Sequence, residues 1–100
     1  MKILQIIPKN TSGPNLKSLL KAKERSLRGT STTFFRDREG RWSHARYPGW
    51  INWEETTGGI LLAEIRTRTV DSEWQLLQSF IGYLDRHLGK HIGSMFILYR

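Results

Sequence analysis

Cysteine is absent from the 100-residue chain. That excludes disulfides, thiolate metal sites and cysteine nucleophiles, and it is compatible with a cytoplasmic setting. Proline occurs three times, and there is no linker, internal repeat or low-complexity tract. No apolar run approaches the roughly 18 residues that a membrane-spanning helix needs. The opening Met1-Lys2-Ile3-Leu4-Gln5-Ile6-Ile7-Pro8 is too short for a signal-peptide core, and no small-residue cleavage site follows it. These absences lead to the expectation of a cytoplasmic protein without membrane contact. A glycine-rich phosphate loop is also missing, because Gly58-Gly59 sits in a turn with neither Lys-Ser/Thr nor a helix after it. Acidic residues are scarce, nine Asp/Glu against sixteen Lys/Arg.

What is present is apolar mass for one core. Four Trp, three Tyr and four Phe are a large aromatic supply for a chain this short, and its length suits a single domain over residues 1–100. Residues 2–7 read as a short buried strand ended by Pro8. A helix is expected over 14–28, with Pro14 at its first position, Ser12 or Gly13 near the cap and Gly29 as its stop. Strands are expected over 32–36 and 41–47, joined by the turn Asp37-Arg38-Glu39-Gly40, and over 50–54 after Tyr47-Pro48-Gly49-Trp50. A longer strand is expected over 60–69, with Leu61, Ala63 and Ile65 on the core face. Ser72 and Gln75 have capping-box spacing, so the second helix is placed over 72–88 with Gly89 as its end. Its apolar stripe is Trp74, Leu77, Ile81, Leu84 and Leu88, widened by Leu76, Phe80 and Tyr83. A last apolar strand covers 95–99. The order β-α-β-β-β-β-α-β implies an α+β fold with two helices on a mainly antiparallel sheet. A ferredoxin-like arrangement with an added hairpin would fit, while the strand order stays open.

Charge is unevenly placed. Residues 1–53 hold eleven Lys/Arg and three Asp/Glu, a formal +8, and residues 54–100 carry −1. Such asymmetry points to a polyanionic partner, most often nucleic acid. On the first helix Lys17, Lys21, Arg25 and Arg28 share a face that would follow phosphates. In the hairpin, Arg36, Arg38, Arg41, Trp42 and Arg46 alternate with other rings, and exposed rings with arginines suit unpaired bases. These nine residues are the candidate nucleic-acid contacts, with single-stranded RNA or DNA as the expected ligand. The bland alternative makes the rings core and the arginines a solvated rim.

Catalytic signals are weak. His87 and His91 have the four-residue spacing of metal ligands on a helix, but Gly89 intervenes and no third ligand lies nearby, so neither metal nor cofactor is expected. His44 or His87 with Glu54, Glu55, Glu64 or Asp85 would suffice for acid–base work, yet no spacing singles out a pair. No enzymatic activity is expected. The first expectation is therefore a non-enzymatic binding module. The second is a protein-interaction or self-assembling module without a nucleic-acid role, and the third is a small nuclease or toxin. Self-association as a homodimer is also expected, because the final strand is apolar on both faces. Met95, Ile97 and Leu62 are its candidate interface.

Two segments, Tyr47-Pro48-Gly49-Trp50-Ile51 and Trp74-Gln75-Leu76-Leu77 through Phe80-Ile81-Gly82-Tyr83-Leu84-Asp85-Arg86-His87, resemble those of small bacterial proteins carried on mobile gene cassettes such as integrons. The resemblance covers about the last sixty residues, and its motifs are structural. It implies a bacterial cytoplasmic protein, often oligomeric and without an assigned role, and it carries over no site residue.

Overall fold

A computed structural model of the chain describes residues 1–10, 13, 15–27 and 34–100. Six strands form one antiparallel sheet: β1 (Lys2–Pro8), β2 (Phe34–Arg36), β3 (Trp42–His44), β4 (Trp50–Glu55), β5 (Leu61–Arg66) and β6 (Ile92–Tyr99). Helices α1 (Leu16–Ser26) and α2 (Val70–Leu88) complete the expected α+β order. Across the sheet the order is β2-β3-β4-β5-β1-β6. Because β1 pairs antiparallel with both β5 and β6, those two strands run the same way on either side of it, joined through α2. Likewise β1 and β4 flank β5 and run alike. Strands β4-β5-β1-β6 therefore form two interlocked split β-α-β units, the ferredoxin-like arrangement, and the β2–β3 hairpin extends the sheet beyond β4.

Alternation decides which residues meet the helices. Leu61, Ala63 and Ile65 are fully buried, as their spacing predicts, and their partners Leu4, Ile6 and Ile51 bury beside them. Helix α2 covers these strands with Leu76, Leu77, Phe80, Tyr83, Leu84 and Leu88, and α1 adds Leu16 and Leu20. Trp74 departs from the expected stripe: it is 41% exposed, so the buried arc centres on Leu77, Phe80 and Leu84. Lys2 lies on the same side of the sheet, and its ammonium meets Glu73 in the first turn of α2 at 2.6 Å.

Several boundaries differ from the sequence reading. Helix α1 is capped by Asn15, whose side-chain oxygen accepts from the backbone N–H groups of Lys17 (2.9 Å) and Ser18 (3.3 Å). Such a cap satisfies donors that the first turn leaves open. Gly13, a suggested cap, precedes the helix, whereas Ser12, Pro14, Arg28, Gly29 and residues 32–33 of the expected hairpin strand lie outside the described residues. The capping box at Ser72 is not formed. Helix α2 begins at Val70, and Ser72, inside the helix, accepts a hydrogen bond from the Thr69 hydroxyl. Strand β3 ends at His44 rather than at residue 47, and β6 begins earlier, at Ile92. The chain turns after β3 because Gly49 has φ +118°, and a Cβ there would lie 2.4 Å from Thr67 Cγ2 and 2.5 Å from the Arg66 carbonyl oxygen. Only glycine lets this turn sit against the end of β5.

Candidate anion-binding cleft

The hairpin docks on α2 through rings. Phe34 lies 5.4 Å from Tyr83 and 5.9 Å from Phe80, and Trp42 lies 5.4 Å and 5.9 Å from the same pair. Trp42 is 2% exposed, and its indole N–H is buried with no acceptor among the described residues. The ring expected to stack on bases therefore belongs to the core, as the bland reading had it. Trp42 and His44 do share a face, but that face looks inward.

Beyond β3 the turn and α2 enclose a shallow cleft of about 260 Å³. His44, Arg46 and Tyr47 supply one wall, and Ser79, Gly82, Tyr83 and Arg86 supply the other. The α2 residues recur every three or four positions, the spacing of one helix face. His44 Nδ1 accepts the Arg46 backbone N–H at 2.9 Å, so the neutral ring carries its proton on Nε2. The imidazole also lies at a tilt against Tyr47, with ring centroids 4.7 Å apart. Next along α2, His87 packs on Tyr83 at 4.6 Å. Gly82 is an interior helix residue, yet a Cβ built there meets nothing within 4 Å. Glycine costs the helix about 1 kcal/mol relative to alanine, and at this position packing does not require it.

Electrostatically the cleft is positive. Among the described residues Arg46 and Arg86 enter no ion pair. Burial, then the Arg46 guanidinium, holds His44 below the ordinary histidine range. Burial, then Lys23 and Arg86, does the same to His87. Burial, then Glu24, raises the Tyr83 phenol. With both imidazoles depressed below their unfolded values, the unfolded chain takes up protons first as pH falls. Stability is therefore expected to be full above about pH 6.5 and to drop as pH falls through the folded values. Urea midpoints between pH 7.5 and 5 check this, and His44→Asn with His87→Gln should flatten that part of the profile.

The other candidate cations divide sharply. Arg36 is bound by both Glu24 oxygens (2.6 and 3.1 Å) and donates to the Gly40 carbonyl. Arg41 pairs with Asp37 at 3.0 Å and Glu39 at 3.1 Å and lies over the Trp50 ring. Both guanidiniums are thus neutralised by carboxylates and tie down the hairpin. Lys17, Lys21, Arg25 and Arg38 enter no ion pair among the described residues, while Arg28 lies outside them. Sequence reasoning missed Ser79, Gly82, Tyr83 and Arg86 as members of one site.

On the opposite, open face of the sheet, Ile3, Asn52, Glu54, Leu62 and Glu64 line a hollow of about 170 Å³. Its two carboxylates repel phosphate. Met95 and Ile97 do not face this side. They sit opposite Ile6 and Leu4 and pack on the helix-side core, whereas Phe96 (50% exposed) and Leu98 (43%) point outward. Of the expected interface, only Leu62 shares the open face. Among the described residues no three His, Cys, Asp or Glu side chains gather as a metal site, and His91 lies past the end of α2 in a 3-10 turn. No described helix is long and apolar enough to cross a membrane. Comparison with protein families, with curated proteins and with solved structures finds no match for this chain.

Proposed function

We propose that the protein is a non-enzymatic module that binds single-stranded RNA or DNA, with the cleft between the β3–β4 turn and α2 as its principal contact. The observation that carries this reading is the convergence of Arg46 and Arg86 from opposite walls, without carboxylate partners among the described residues, beside the Tyr47–His44 ring pair. Guanidiniums of this kind donate to phosphate oxygens, and a half-buried ring offers a stacking surface for a base. Exposed Lys21, Arg25 and Arg38 add sequence-independent attraction. A short fluorescent oligonucleotide in low salt, followed by anisotropy, tests the proposal. Binding should weaken steeply as salt rises, and no binding at low salt would overturn it.

A second reading, self-association, is favoured by Phe96 and Leu98, which stand exposed on the edge strand β6. That strand carries no charged residue between Ile92 and Tyr99, so it lacks the side chains that commonly blunt a sheet edge. A second copy pairing antiparallel across a two-fold axis would continue the sheet. Light scattering should then give a dimer mass that Leu98→Lys reduces to the monomer. A monomer at all concentrations would end this reading. Ile97→Lys is unsuited to the test, because Ile97 packs on the core.

A further inference from the structure

We infer that the cleft is a single-nucleotide site, taking one phosphate between Arg46 and Arg86 and one base against Tyr47. This rests on the binding reading above and narrows it to a ligand class: a nucleoside monophosphate, free or at a strand end. Three features of the structure converge here. The volume of about 260 Å³ falls just below the span of roughly 300–1,000 Å³ usual for drug-sized ligands, so one nucleotide unit suits it. The neutral imidazole of His44 joins the Ser79 hydroxyl and the two guanidiniums as hydrogen-bonding groups among the lining residues. Gly82 is the third and independent feature. It stands mid-helix between Ser79 and Arg86, one turn from each, where a Cβ would meet nothing within 4 Å beyond the helix's own backbone and chain neighbours. Bare helix backbone at that point leaves room for a ligand that any larger residue would fill.

The experiment is a calorimetric titration with five probes: inorganic phosphate, adenosine, adenosine 5′-monophosphate, and one oligonucleotide prepared with and without a 5′-phosphate. The monophosphate should bind at least tenfold more tightly than phosphate or adenosine alone. Gly82→Leu should weaken the monophosphate at least tenfold while the melting temperature holds or rises. Arg86→Gln should lose at least tenfold. Monophosphate binding unchanged in Gly82→Leu would overturn the inference. An oligonucleotide that binds while the monophosphate does not would also overturn it and leave the binding reading standing. Failure of both would remove that reading as well. A tenfold preference for the 5′-phosphorylated oligonucleotide would mark a strand end as the ligand; a monophosphate at least tenfold tighter than both oligonucleotides would mark the free nucleotide; and two oligonucleotides equal to each other and as tight as the monophosphate would overturn the inference.

Discussion

Phe80→Ala is expected to lower the unfolding free energy by about 3–5 kcal/mol. The side chain is fully buried on α2, 5.9 Å from both the Phe34 and Trp42 rings. Removing it deletes edge-to-face contacts with rings of β2 and β3 and leaves a cavity that close-packed neighbours fill only in part. A domain of this size has about 5–15 kcal/mol in total, and each kilocalorie is worth about 4–8 °C in melting temperature. A loss of roughly 12–40 °C should follow. The damage should fall hardest on the β2–β3 hairpin. Among the described residues its one ladder pairing with β4 is Trp42 opposite Ile51, so ring packing on α2 anchors it. Near-ultraviolet circular dichroism should show loss of the fixed Trp42 environment before global unfolding. A variant within about 1 kcal/mol of the parent would mean that the hairpin does not depend on α2, and the cleft between them would lose its support.

Reversing both cleft arginines, Arg46→Glu with Arg86→Glu, is expected to cost at least a hundredfold in oligonucleotide affinity. Hydrogen bonds to charged groups contribute about 1.5–3 kcal/mol each, and two acidic replacements add repulsion. The salt dependence should fall in step. Each phosphate contact on a single strand contributes about 0.7 to the slope of log affinity against log salt, so the slope should shrink by about 1.4. Stability should change little, because neither arginine is in an ion pair among the described residues. Replacing Arg36 and Arg41 by glutamine should move affinity less than threefold, since Glu24, Asp37 and Glu39 already neutralise them. Equal losses from the two pairs would point to diffuse attraction by net charge and away from the cleft.

The contrast between these pairs marks where sequence patterning stops. Alternation correctly assigns Leu61, Ala63 and Ile65 to the core because Glu64 and Arg66 break the run with charged residues. Strand β6 offers no such break: Met95-Phe96-Ile97-Leu98 is apolar at every position, and only its register against Leu4 and Ile6 turns Met95 and Ile97 inward. Similarly, Arg41 sits among visible acidic neighbours in sequence, but Glu24 reaches Arg36 across twelve residues, from another element. Trp42 reads as a platform while its hairpin is imagined free in solvent, and docking on Phe80 and Tyr83 buries it. The recurrence of Ser79, Gly82, Tyr83 and Arg86 is legible on a helical wheel. Its meaning is not, because the opposite wall comes from a turn whose position depends on Gly49 meeting the end of β5.

The most direct measurement is a two-dimensional amide spectrum of labelled protein titrated with a short single-stranded oligonucleotide at low salt. Chemical-shift changes should concentrate at Arg46, Tyr47, Ser79, Gly82, Tyr83 and Arg86, with smaller changes along Lys21 and Arg25. Shifts confined to Leu62, Glu64, Phe96 and Leu98, or none at saturating oligonucleotide, would contradict the cleft as the contact site.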